Sequence, residues 1–322
     1  MLTVSFAPLI LVNIGLVTNP WILILLFVIS GIGMAGIGMG IMHDALHGSY
    51  SGNRKVNRIM GYTMNLIGAN ANVWKIKHNV LHHTYTNINE ADDDINAPFF
   101  LRFSPNDKRY WVHRFQHVYA WFFYGLSTLL WVTYADFKRL VKYKEMGFVS
   151  GKNEFSREII NIIGWKMLYY SYALIIPLIV VPLSPWIIIL AFVIMHFITG
   201  LSISTVFQTA HIMPSSEFPL PDENGIIGSD WTLHQMATTS NYAPSSRIFS
   251  WMIGGLNFQI EHHLFPNICH VHYRKISGIV EKTAAEFGIP YYSRKTFMAA
   301  VWDHIKMLRQ LGRPSPALSI AG

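Results

Sequence analysis

Two long stretches of this chain carry no charged side chain. One runs from Met1 to Met42; the other runs from Met167 to Ser216 and contains two histidines, His196 and His211. The hydrocarbon core of a bilayer takes about 20 apolar residues per helix, so each stretch is long enough for two spans. Each is broken near its middle, by "TNP" at 18–20 and "PLSP" at 182–185, where proline stops a helix. The pattern predicts spans over about 2–17, 21–42, 159–181 and 186–210, paired as two hairpins. A secretory leader would open on basic residues and stop after one short apolar run, which this chain does not do. The first span is short, which leaves room for residues ahead of Met1.

Between and after the hairpins the pattern turns polar. Lys and Arg lie in segments 54–166 and 247–313, and neither hairpin turn holds one. Basic residues mark the cytoplasmic side, so segments 43–158 and 211–322 are expected there, with the turns on the opposite side. Segment 112–132, "VHRFQHVYAWFFYGLSTLLWV", predicts an aromatic helix, interfacial or buried. No strand alternation persists and no solenoid period appears. The expectation is an all-α integral membrane protein, one domain over 1–322, with four transmembrane helices and a cytoplasmic helical cap. The tail after Leu311, "GRPSPALSIAG", reads as a frayed end.

Composition agrees with a membrane protein. Charged residues are 13% of the 322, against about a quarter in an ordinary soluble domain. The net charge of +7 suits membrane lipids or an acidic cofactor; nucleic acid would call for basic stripes on a soluble fold. The single cysteine, Cys269, excludes a disulfide within the chain and a cysteine-based zinc site.

The histidines are unevenly spread. "HDALH" (43–47), "HNVLHH" (78–83) and "QIEHH" (259–263) hold seven of the fifteen. Positions i and i+4 of a helix share a face. His43 and His47 therefore form one two-pronged pair and His78 and His82 another, with His83 about 100° round the axis. His262 and His263, with Gln259 one turn earlier, form the third group. Imidazole suits iron, zinc, copper and nickel, and seven rings exceed the four ligands of one tetrahedral zinc. The fourth span delivers His211 to the same face as His43, making eight rings, a complement for two metals with open positions. "HRFQH" (113–117) shares the spacing but opens the aromatic helix without a third histidine, and reads as structural. His196, mid-span, reads as a hydrogen bond to a neighbouring helix. His234 and His304 read as ordinary, and His270 and His272 as ordinary or as outer partners. Asp44, Glu261 and "EADDD" (90–94) can accept the outer N–H of ligand imidazoles; Glu90 and Asp92 read as solvated acids.

At these residues the chain resembles the membrane fatty acid desaturases, most closely their front-end branch of acyl-CoA and acyl-lipid Δ5/Δ6 enzymes. "HDALHGSYS", "KHNVLHHTYTNI" with "DDDI", and "FQIEHHLFP" are similar to the three histidine boxes in order and spacing. Gln259 stands where other branches have histidine, and "VFQTAH" resembles the segment that offers one further ligand, here His211. The resemblance implies two iron ions held by His43, His47, His78, His82, His83, His211, His262 and His263, with Gln259, Asp44 and Glu261 as ligands or outer partners. It implies O2 as co-substrate and a cis double bond formed in a fatty acyl chain, with the metal pair itself as the catalytic group. The acyl carrier would be CoA, a lipid or acyl carrier protein.

Many front-end relatives carry a fused cytochrome b5 with an HPGG motif. This chain has neither the motif nor room for the domain. The expected electron source is therefore a separate protein of ferredoxin or cytochrome b5 type, with its reductase. The expected location is the cytoplasmic face of a bacterial inner membrane, or the endoplasmic reticulum in a eukaryote. Front-end chemistry implies a headgroup anchor and a narrow tunnel. Arg54, Lys55, Arg58, Lys75 and Lys77 flank the first two boxes and are candidates for the anchor, or they snorkel to lipid headgroups. Trp74, beside the small residues of "NLIGANANVW" (65–74), is the candidate tunnel wall. Two other readings stay open: a lipid hydroxylase on the same scaffold, and a histidine-rich membrane metal transporter. The transporter predicts ligands inside the spans, where only His196 lies.

Overall fold

The computed structural model describes residues 1–314, so most of the tail expected to fray lies outside the described residues. The apolar runs form α1 (Leu2–Asn13), α2 (Pro20–His47), α6 (Gly151–Val180) and α7 (Pro185–His211). Between the two pairs lie α3 (Arg54–Gly61), α4 (residues 71–85) and α5 (residues 116–145). After them come α8 (Trp231–Thr238), α9 (Gln259–Leu264), α10 (Tyr273–Glu286) and α11 (Phe297–Leu311). Among the described residues the only strands are Asn241–Tyr242 and Ser293–Arg294, a two-residue parallel bridge.

Three helices, α2, α6 and α7, are long and apolar enough to cross a membrane. The expected span at 2–17 is shorter. Its helix has 12 residues, about 18 Å, against a hydrocarbon core of about 30 Å. It stops because Gly15, in the left-handed region at φ 75°, returns its N–H to the Val12 carbonyl. The next helix starts cleanly: Asn19 Oδ1 accepts the N–H of Trp21 at 2.9 Å and of Ile22 at 3.3 Å, with Pro20 in the first turn. Pro185 opens α7 in the same way. At their other ends α2 runs past the expected boundary at 42 to His47, and α7 ends on His211.

Small residues let these helices approach closely. A Cβ on Gly31 of α2 would lie 2.6 Å from the Met195 carbonyl of α7. Gly200 of α7 is equally close to the backbone of α5 at Tyr124 and Gly125. Both α2 and α7 begin at a turn and end in histidine, and Gly31 against Met195 with Gly38 against Ile203, seven and eight residues further on, show that they run parallel and in register. His43, His47 and His211 therefore emerge at one end of the bundle. Leu23, Phe27 and Ile37 of α2 pack with Ile188, Phe192 and Met195 of α7 and with Leu9 and Val12 of α1.

The aromatic helix α5, which takes up most of segment 112–132, has one buried face and one exposed face. One face packs Ala120 and Tyr124 against Leu308 of α11, while Val118, Phe122 and Leu130 point outwards, exposed. Buried Lys166 ties α6 to it: Nζ donates to Asp136 at 2.8 Å and to the Gly68 and Trp131 carbonyls at 3.0 Å. Removing one partner of a buried pair leaves the other charge uncompensated. Lys166→Met is expected to destabilise the protein by about 3–5 kcal/mol, and adding Asp136→Leu to restore most of that. Thermal unfolding in detergent reads both; equal losses in the single and double variants would contradict this role.

Candidate metal centre

Each histidine group reaches the centre by a different local device. A π-turn at Ile37–Ile41 widens α2 just before His43. The helix then ends at Gly48, left-handed at φ 78°, so His43 and His47 project together with ring centres 4.8 Å apart. In α4 the side chain of Asn70 caps the N-terminus through the N–H of Asn72 and Val73. A second π-turn, Ile76–His82, then carries the second box. This turn corrects the expectation that His83 stands 100° away. Its i→i+5 geometry brings His83 round to His78, and their Nε2 atoms lie 3.3 Å apart. The Nε2 of His43 is 3.1 Å from that of His78.

The third group sits on a six-residue helix that needs outside support. Ile260 of α9 is buried with Met236, Val280 and Ala284. Asn241 accepts the Ile260 N–H at 2.9 Å and donates to Glu261 at 2.7 Å, which sets the roll of α9. Upstream, Gly254, left-handed at φ 61°, lies against Gly40 with no room for a Cβ. The chain that leads to α9 is thus held on the π-turn of α2.

The eight rings gather into two sets with one ring between them. His43, His47, His78 and His262 bring ligand nitrogens within 4.8 Å of one another, and so do His82, His211 and His263. His83 groups with His262 and His263 across the two sets. The Nε2 atoms of His47, His82, His211, His262 and His263 are buried with no hydrogen-bond partner. Burial pushes His78, His83, His262 and His263 well below the ordinary histidine range, so these rings are neutral. Neutral imidazoles with bare inward nitrogens fit metal ions, since an unpartnered buried acceptor otherwise costs about 1–3 kcal/mol.

The outer nitrogens are fixed by partners. His78 Nδ1 donates to Asp94 at 3.2 Å, His82 Nδ1 to Asp92 at 3.0 Å, and His263 Nδ1 to the Gln235 carbonyl oxygen at 2.7 Å. His211 Nδ1 meets the Thr238 carbonyl at 3.3 Å, and His262 Nδ1 meets the Tyr273 hydroxyl at 3.3 Å. Burial lowers His82 as well, but Asp92 and Asp94 outweigh it and hold this ring above its usual range. Burial would raise Asp94, yet Lys77 and His78 take it well below the carboxylate range. Asp92 is fully buried, against its reading as a solvated acid; Glu90 is exposed. Asn87, left-handed at φ 61°, donates its backbone N–H to Asp92 and its amide to the His211 carbonyl, and so pins the acidic loop onto α7.

Other candidates lie elsewhere. Asp44 accepts from His270 Nδ1 at 2.6 Å and from Cys269, joining α2 to the segment after α9. Glu261 turns from the rings to Asn241 and Tyr291. Gln259 is buried beside the third box with both amide atoms unpartnered. His113 bonds the Phe99 carbonyl and the Tyr110 N–H. His196 bonds Tyr169 of α6. His304 bonds Tyr124. Gln235 and Tyr273 went unnoticed in the sequence because neither sits in a motif; only the folded chain brings them to the rings.

A cavity of about 580 Å³ passes the first set. Its apolar part lies between α2, α5 and α7, with Met34, Met39, Thr199 and Ile203 in its walls. His43 and His78 line it, as does Trp74, whose ring stacks on His78 at 4.4 Å. Of the five candidate anchor cations only Lys77 lines this cavity. Arg54, Lys55, Arg58 and Lys75 point outwards, exposed on α3 and on the outer face of α4.

The family model of fatty acid desaturases matches residues 19–295. The sn-1 linoleoyl-lipid 6-desaturase of Synechocystis sp. is 35% identical over 288 residues, which cover 89% of this chain and 80% of that protein. The enzyme of the same description from Arthrospira platensis is 36% identical over 291 residues, covering 90% and 78%. An acyl-lipid (8-3)-desaturase of Physcomitrium patens is 36% identical over 280 residues, covering 86% and 58%.

Partners that orient ligand rings typically govern metal affinity by 10–100-fold. Asp92→Leu and Gln235→Leu are each expected to weaken ferrous-iron binding by about that factor, and His113→Ala to leave it unchanged. Equilibrium titration of metal-stripped protein reads this. Unchanged affinity in both variants would contradict the arrangement of inward Nε2 and outward Nδ1 atoms.

Proposed function

The chain belongs to the fatty acid desaturase family and is an oxidoreductase; from that premise we propose that it places a cis double bond in the acyl chain of a lipid, at a position counted from the carboxyl end. The observation that carries this reading is the cavity. An apolar slot runs directly past His43 and His78, so a hydrocarbon chain inside it lies against the first set of rings. The lipid carrier and the front-end position are supported by the relatives, described as acting on linoleoyl-lipid or acyl-lipid substrates.

In this reading His43, His47, His78 and His262 would hold one iron and His82, His211 and His263 the other, with His83 beside His262 and His263 available to either. When bound, the iron pair supplies O2 activation and removal of hydrogen from an unactivated methylene. The protein's own residues do the rest. Asp92, Asp94 and Gln235 hold outer ring protons so that the inner nitrogens stay free. Trp74 and the cavity walls exclude water and limit which carbon pair reaches the metals. An error of about an ångström at this point costs rate heavily. Electrons come from a separate redox protein. The pairs α1–α2 and α6–α7 sit in the membrane as two hairpins entered from one face, and the remaining helices form a cap on the cytoplasmic side, where the basic residues lie.

Expression in a host fed defined fatty acids, with mass spectrometry of the lipids, tests the reaction. The expected product is two hydrogens lighter than its precursor. A product heavier by one oxygen would replace desaturation with hydroxylation. His82→Ala and His262→Ala should each reduce product more than 100-fold while the protein still inserts in the membrane, a loss of at least about 2.7 kcal/mol of transition-state stabilisation. His113→Ala should be mild by comparison.

A further inference from the structure

The cavity is apolar at one end and cationic at the other. Lys77, Lys138, Arg139 and Lys142 line the cationic end, with Asp93 and Asp94. Lys77 pairs with Asp94 and Lys142 with Asp93, so both carboxylates are taken. Lys138 and Arg139 form no ion pair among the described residues. Arg139 is the more telling: its Nη1 is buried and has no hydrogen-bond partner. Its guanidinium lies 5.8 Å from the centre of the Trp131 ring, and Lys77 Nζ lies 5.1 Å from the same centre. Arg139 is half-buried, and a guanidinium nitrogen left without an acceptor at the wall of a cavity is matched by an oxyanion; phosphate has the right shape and charge.

We propose that Arg139, assisted by Lys138, binds the phosphate of the substrate's headgroup, so that this protein takes its acyl chain on a phosphate-bearing carrier. The inference rests on the reading of the cavity as the acyl site and deepens it by naming the carrier's chemistry. Arg139 then acts as a positioning residue for the reaction. With the phosphate held at the mouth, the chain enters headgroup-last, and the distance from Arg139 to the rings sets which carbons lie beside His43 and His78. A carboxyl-end rule needs a fixed point of this kind at the entrance. Two sources share the chemistry, an anionic phospholipid and an acyl-CoA. A neutral glycolipid lacks it.

Binding and turnover are measured separately on the iron-loaded protein. Native mass spectrometry reads binding to phosphatidylglycerol, to an acyl-CoA and to a monogalactosyl lipid carrying the same acyl chain. Wild type should bind one or both phosphate-bearing molecules in preference to the galactolipid; which one it prefers identifies the source. Arg139→Gln should weaken that binding by about 10-fold or more, the loss of a charge-assisted contact, and Arg139→Lys should recover part of it. In turnover the same variant should raise KM for the phosphate-bearing lipid with little change in kcat, and its iron content should match wild type. Equal binding of all three molecules, or unchanged binding in Arg139→Gln, overturns the inference whether or not the protein desaturates. Wild type that binds phospholipid but forms no double bond sinks the desaturase reading and leaves the phosphate site standing.

Discussion

Eight imidazoles gather together, seven of them buried and His47 half-buried, and at least five of their ring nitrogens face inwards with nothing to bond. Neutral rings crowded at this spacing repel at their lone pairs and lose their water. Cations among them are the natural compensation. Most of the cap can be understood from this requirement. The acidic loop at 92–94 and the helix α8 each supply an outer partner that keeps a lone pair pointed at the centre, and Asn87 holds the loop in place. Asn241 steadies α9, which is too short to hold its orientation alone.

The long apolar helices make this assembly possible by geometry. Parallel packing of α2 on α7 through Gly31 brings two ligand-bearing ends to one level. The π-turns then adjust phase. A regular α-helix would offer two rings of the second box to the centre and turn the third away, whereas the wide turn offers all three. The same region walls the cavity, so the fold delivers the histidine cluster and a largely apolar slot to one place.

The acidic run shows how one loop serves two functions. Asp92 and Asp94 hold rings, while Asp93, between them, faces the other way to Lys142 and Tyr143 at the cavity mouth. The run is a turn, closed by the Ile95 N–H on the Asp92 carbonyl and the Asp94 N–H on the Asp92 carboxylate, and it directs Asp93 away from its two neighbours. Three consecutive carboxylates can therefore steady the metal centre and shape the entrance to the slot.

Much of this was legible in the sequence. The charge-free runs with central prolines determined the apolar helix pairs, because hydropathy and proline act locally. The spacing of the boxes marked the histidines that the fold gathers into one cluster, because residues four apart share a helix face wherever the helix lies. What lay beyond reach depended on contacts distant in the chain. Gln235 has no motif, and it reaches His263 only because α8 packs on α9. Asp92 looked like a surface acid because its burial comes from α7 and the loop around Asn87. The cations near the first boxes stand out by proximity in sequence, but only the fold decides which positive charges line the cavity, and there Lys77 is joined by a stretch of α5 more than fifty residues away from the second box. Local rules write helices and ligands into a sequence; burial and pairing are properties of the whole fold.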